Sequence, residues 1–409
     1  MARCAASGVR VWAVPACALA LALSPAILIA SSAHAQEAPP SATSIRAAWT
    51  QFVGAAVEGG DDDARYGGKV DVYGTVDGRD LGLWEGLSIN VHPEFVYGRN
   101  VNASVPVLFP PNVAMTFPSS NEEDFDLSLY FVQKFGKASL TLGKINMLDI
   151  AAGTPLVGGG GLDGFQHTAL AAPPSGITPA TIFGGLLSVP VGGPTLTVGL
   201  WDPANRVNQT GFEDPFETGV AGMVSLAVAV PLDGKPGFHS FTVQATSKRG
   251  LNLADLEDVF LPPESEVVLG QRSGGFKLTY ALQQYLWVDP SDSRRGWGVF
   301  GTAAVWQDNP LPFRWSATFG LTGSPPIAAR PNDRFGIGYH RMTLSPALRR
   351  GLAPILAVRS EQGVEGFYTF AIGRHLRLTA NAQWVRSFIR DVDDALFLGL
   401  RAQLVFRTR

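Results

Sequence analysis

The sequence predicts an all-β chain, a transmembrane antiparallel β-barrel of about sixteen strands. Three observations carry that expectation. From Gly67 onward apolar and polar residues alternate with period two, in segments of about 10 residues, the length that crosses a bilayer when a strand is tilted. The connections between segments alternate between tight turns and long loops. Finally Trp84, Trp201, Trp287, Trp297, Trp306, Trp315 and Trp384 fall at or near segment ends, where an aromatic belt keeps each ring in hydrocarbon and each N–H wet.

The chain opens with a targeting signal. Arg3 and Arg10 give a positive start, Val11 to Ala30 is an apolar run, and Ala33-His34-Ala35 is a small-x-small cleavage site. Residues 1–35 are therefore expected to leave as a signal peptide, taking both cysteines, Cys4 and Cys17, with them. The mature part then has 374 of the 409 residues. It carries 30 of the 32 basic residues and all 35 acidic ones, a charge of −5. Disulfide scaffolds, thiol nucleophiles and nucleic-acid binding are excluded on these counts. After the signal no apolar run reaches the roughly 18–20 residues of a membrane helix.

Residues 36–66 show little pattern, with Pro39-Pro40 and an acidic run at Asp61-Asp62-Asp63. Ile45 to Val57 reads as a short amphipathic helix, and the segment as a periplasmic leader ahead of a barrel spanning 67–409. Strands are then expected near 67–77, 84–98, 126–135, 138–146, 180–190, 194–202, 216–231, 236–248, 272–287 and 296–308. Further strands follow near 313–323, 333–342, 363–372, 376–384 and 396–406. In "FRWSATFGLTG" Phe313, Trp315, Ala317, Phe319 and Leu321 oppose Arg314, Ser316, Thr318 and Thr322. "LRLTANAQW" and the terminal segment alternate in the same way, with Arg377, Thr379, Asn381 and Gln383, then Arg401 and Gln403, on the polar side. That makes fifteen strands. Single-chain bacterial barrels have even numbers, so one is missing and sixteen is expected. A β-sandwich or β-helix also alternates, but a sandwich of this length divides into domains and a β-helix shows a short repeat, which is absent.

With lipid on the apolar face, the other face lines a lumen. Alternation places Lys69, Asp71, Asn90, His92, Glu94, Asp126, Lys277, Gln283, Arg314, Arg334, His340, Glu365, Arg377, Arg401 and Gln403 inward. The mixture of signs suits polar neutral solutes better than a strongly ion-selective pore. Leu148 to Ile177, rich in Gly and Pro with four glycines at 158–161, is a long loop of the kind that in porins folds inward to narrow the pore. No Gly-Lys-Ser/Thr follows those glycines, so they are not a phosphate cradle. Neither a Gly-x-Ser-x-Gly motif nor metal-ligand spacing among His92, His167, His239, His340 and His375 is present, so neither an enzyme nor a cofactor is expected.

"LTLGKINMLDIAAGTPLVGGGGLDGFQHTAL" resembles the glycine-lysine-x-asparagine-x-x-aspartate segment and glycine-rich continuation of the carbohydrate-selective porins of the OprB type. "GLSINVHPEFVYGRNVN", "NVAMTFPS", "LSLYFVQKF", "LTVGLWDPANR" and "GLRAQLVF" are similar to further blocks of that family, in the same order over roughly 67–406. Where that family usually ends on its last aromatic residue, here Arg407-Thr408-Arg409 follow Phe406. The resemblance implies a sixteen-stranded outer-membrane channel passing glucose and other sugars by diffusion. Its implied constriction residues are His92, Glu94, Arg99, Lys144, Asn146 and Asp149. Trp201, beside Asp202, is placed either to stack on a pyranose at the mouth or to serve in the aromatic girdle; Arg314 and Arg377 join the pore lining from the polar face. The implied partners are monosaccharides or small oligosaccharides, outer-membrane lipid, the barrel-assembly machinery acting on the strand ending near Phe406, and copies of the chain in a homotrimer. A porin for small polar or anionic solutes on the same barrel is the alternative.

Overall fold

The computed structural model describes residues 43–119, 122–209, 212–257 and 269–407; the expected signal peptide lies outside the described residues. Sixteen antiparallel strands follow one another round a closed barrel. They are β1 (Ser44–Glu58), β2 (Arg65–Asp77), β3 (Leu87–Gly98), β4 (Asp124–Phe135), β5 (Ala138–Asn146), β6 (Thr181–Pro190), β7 (Thr195–Trp201) and β8 (Ala221–Ala229). The second half comprises β9 (Gly237–Leu251), β10 (Gln271–Asp289), β11 (Asp292–Trp306), β12 (Phe313–Gly323), β13 (Arg334–Leu344), β14 (Glu361–Ile372), β15 (Leu376–Arg386) and β16 (Ala395–Arg407).

The missing strand is β1. Ser44–Glu58 is not a helix of a leader segment but the strand that closes the barrel, with Thr50 opposite Gln403 on one side and Lys69 on the other. The barrel therefore begins at Ser44, not at residue 67. Closure leaves no unpaired edge, the condition for a sheet to span a membrane.

Sidedness follows the alternation. Large apolar side chains point outward and are exposed, as with Phe319 (57%), Leu400 (63%) and Phe241 (57%), while Lys69, Asp71, Glu94, Lys277 and Arg401 are buried. A water-soluble domain sorts its residues the other way. Each such apolar side chain is worth roughly 1.5–3 kcal/mol when fully withdrawn from water, so leaving this face to water would be costly. Tight turns (136–137, 290–291, 373–375) lie at one end of the barrel, the end holding the start of β1 and the close of β16; the long loops lie at the other.

The loop 147–180 turns into the barrel, starting with helix α1 (Met147–Ala152) and continuing through α2 (Thr168–Ala171). Inward polar side chains of the wall hold its backbone. Gln283 accepts from Leu156 N (2.7 Å), Arg334 donates to Leu156 O (2.9 Å) and Arg401 to Gly161 O (2.7 Å). Glu365 accepts from the N–H groups of Gln166 (2.6 Å) and His167 (2.9 Å), and Lys277 donates to Pro174 O (3.0 Å). These side chains were expected to line an open lumen; they instead satisfy backbone groups of the inserted loop that its own turns leave unpaired. Phe165 packs edge-on against Phe300 and Phe367, and Phe109 of the loop after β3 packs on Phe313, so the lumen has an apolar filling as well. The glycine run allows the fold-back: Gly159 and Gly161 have φ of +123° and +80°, and a Cβ on Gly159 would lie 1.6 Å from the carbonyl oxygen of Asp163.

Candidate functional site

A row of acids crosses three adjacent strands. Asp71 on β2 stands directly opposite Glu94 on β3, which stands directly opposite Asp126 on β4. Like charges in register destabilise a sheet unless cations come between them. They do. Lys69 Nζ lies 2.5 Å from Glu94 and 3.6 Å from Asp71, and Lys144 Nζ lies 2.5 Å from Asp126. Asn146 donates to Glu94 Oε1 at 2.9 Å. His92 joins the wall to the loop, with Nε2 3.1 Å from Asp71 and Nδ1 2.7 Å from Asp149 in α1. Tyr73 stacks on His92 with centroids 4.0 Å apart.

At the tight-turn rim, from β1 beside the acid row round to β13, lies the opposite charge. Arg46, Arg334, Arg377 and Arg407 sit near the ends of β1, β13, β15 and β16. Asp163 of the inserted loop reaches into this group, 2.5 Å from Arg377 and 3.5 Å from Arg334. Burial alone would raise its pKa, but Arg334, Arg377 and Arg401 more than offset that and hold the carboxyl at about 2. Between the two walls is a cavity of about 190 Å³. Acceptors on one side and guanidinium donors on the other make it a polar chamber with a transverse field, suited to a solute rich in hydroxyls.

Of the residues expected to line a constriction, His92, Asn146, Asp149 and Arg377 face this chamber. Glu94 and Lys144 stand behind it: Lys144 is capped by the Gln209 carbonyl at 2.6 Å and closes the end of the acid row. Four expectations are corrected. Arg99 is exposed beyond β3, at the long-loop end, and lines a separate pocket of about 20 Å³ with Arg65, Asn381 and Gln383. Trp201 is fully buried on the inner face, packed with Ile145, Ile182 and Met223, so it neither stacks at a mouth nor belongs to the girdle. Trp306 likewise turns inward and donates to Ser175 O at 2.5 Å. Arg314 sits in a register shift between Phe313 and Trp315; the irregularity turns Phe313 into the interior and leaves Arg314 exposed.

Lys69, Asp71, Arg334 and Arg401 were legible as inward residues but not as parts of one site. Asp163, Arg46 and Arg407 were not assigned at all. Alternation carried two places past Val405 would have put Arg407 inward, and recognising β1 would have done the same for Arg46; Asp163, in a loop, carries no periodic signal.

The high-pH structure of Pseudomonas putida OprB superposes on the chain with a TM-score of 0.73 at 17% identity, covering 89% of this chain and 94% of that one. The low-pH structure of the same protein gives a TM-score of 0.51 at 15% identity, covering 89% and 93%. At such identities the likeness concerns the fold. No curated protein matches the sequence. Over residues 61–406 the sequence matches the family described as carbohydrate-selective porin, OprB family, and the chain belongs to that family.

Proposed function

We propose that the chain is a passive channel of the bacterial outer membrane through which sugars such as glucose, as monosaccharides or small oligosaccharides, diffuse into the periplasm. The observation that supports this most directly is the chamber: carboxylates and His92 on one wall, arginines on the other, across about 190 Å³ beneath an inserted loop. Hydroxyls donate to the first wall and accept from the second. Hydrogen bonds to charged groups are worth about 1.5–3 kcal/mol each, and competition with water keeps the net gain small enough for release, which a channel needs. The family and fold are those of channels, and no catalytic step is invoked.

The exposed leucines and phenylalanines of the outer face would be ringed by lipid, and the barrel-assembly machinery would engage β16 near Phe406. A homotrimer is the assembly to be tested, by the mass of the detergent-solubilised protein in light scattering. Liposome swelling with a panel of sugars, amino acids and ions, together with single-channel block by glucose and maltose, tests transport. Partial block by sugars supports the reading. Unaffected current with strong ion selectivity overturns it.

A further inference from the structure

Arg46 on β1 and Arg407 on β16 are directly opposite partners across the seam that closes the barrel. Two cations in that register cost stability, and each adjoins a cavity that already holds Arg334 and Arg377. Other interior cations have partners: Lys69 meets Glu94, Lys144 meets Asp126 and Arg377 meets Asp163, while Lys277 and Arg401 donate to carbonyls of the inserted loop. Among the described residues no carboxylate lies within 4.0 Å of Arg46 or Arg407; Arg46 stacks over Tyr73 at 4.9 Å, and its buried Nε has no hydrogen-bond partner. Four arginines thus meet one carboxylate at this rim.

We propose that the chamber takes a sugar acid, a polyhydroxylated monocarboxylate such as a uronate, with its carboxylate on Arg46 and Arg407 and its hydroxyls toward Asp71 and Asp149. This rests on the sugar-channel reading and narrows its substrate class. The guanidinium fork matches a carboxylate with two parallel hydrogen bonds, which no neutral sugar supplies. The acids of the far wall accept from hydroxyls and repel a second negative charge, so a bare anion gains less than a hydroxylated one.

The test is block of single-channel current at 0.1 M salt by glucose, glucuronate and acetate, on the full chain and on Arg46→Gln and Arg407→Gln. The proposal expects glucuronate to block at about tenfold lower concentration than glucose in the unmodified protein, the lower end of what charge-assisted hydrogen bonds provide. That ratio should fall toward one in either variant and shrink in 1 M salt. Should a variant fail to insert, Arg407→Lys, which keeps the charge but loses the fork, should lower the ratio in the same direction. Glucose block with no preference for glucuronate overturns this proposal and leaves the sugar channel standing. Acetate blocking as strongly as glucuronate overturns it too, and with no glucose block it overturns the sugar reading as well. An unchanged ratio in both arginine variants shows the wrong residues were chosen.

Discussion

His92 Nδ1 lies 2.7 Å from Asp149 Oδ2, a bond from the barrel wall to the first helix of the inserted loop. The same ring reaches Asp71 at 3.1 Å through Nε2, so one imidazole bridges wall and loop between two carboxyl groups. Asn146 strengthens the junction by capping α1, accepting from Leu148 N at 2.9 Å while donating to Glu94. The loop is therefore pinned at its root by the side chains that line the chamber. Asp149→Ala removes a charge-assisted bond worth about 1.5–3 kcal/mol. Expected outcome: higher and noisier single-channel conductance with weaker sugar block, and little change in barrel folding by heat-modified gel mobility. Conductance and noise like the unmodified protein would show that the loop is held from elsewhere.

The middle of the loop has its own anchor in Asp163, whose carboxyl is held at about 2 by Arg334, Arg377 and Arg401. An unfolded aspartate titrates near 3.9. The folded value is depressed, so the stabilisation is complete above about pH 4 and disappears as pH falls through about 2. Melting temperatures of the unmodified protein and Asp163→Asn in detergent, at one scan rate, should differ by a constant amount from pH 8 to pH 5 and converge near pH 2. A difference that instead vanishes between pH 7 and pH 6 assigns the effect to another group.

Glu365 anchors the residues that follow, accepting from Gln166 N, His167 N and Asn381. Glu365→Ala leaves two loop N–H groups without acceptors, at about 1–3 kcal/mol for each one kept from water. Hydrogen exchange read by mass spectrometry should rise over 160–170 and not over β14. Unaltered exchange there would mean that Phe165, packed between Phe300 and Phe367, holds the loop unaided.

How much of this was legible depended on where alternation is strict. β15 and β16 read cleanly because their leucines face outward while threonine, asparagine and arginine face inward, and the structure keeps those faces, as it does in β12 from Ser316 to Phe319. β1 did not read as a strand because Ala47, Ala48, Ala55 and Ala56 fit either face, while Phe52 points in and Gln51 out, where it meets the hydroxyls of Tyr66 and Tyr97. A single bulge moved Arg314, and tryptophan position along a strand gave no information on face, as Trp201 and Trp306 show. The pairing of Asp163 with Arg377 spans 214 residues, a separation at which only the folded loop brings them together. His92, Asn146 and Asp149 were reached through family blocks, whereas the arginine rim needed the closing seam of β1 with β16.

Sidedness itself can be tested at Leu400, in the middle of β16 and 63% exposed on the outer face. On a soluble domain an exposed leucine exchanged for arginine shifts stability by about 0.5 kcal/mol or less. Facing hydrocarbon near the bilayer midplane, the same exchange costs about 2–4 kcal/mol. Leu400→Arg should therefore fold into liposomes with sharply lower yield, whereas Phe406→Arg, near the tight-turn rim, should lose about 0–1 kcal/mol. Urea titration of the barrel refolded in phospholipid vesicles measures both. Equal and small effects at the two positions would mean that water, not lipid, covers this face, and the channel would lose its physical basis.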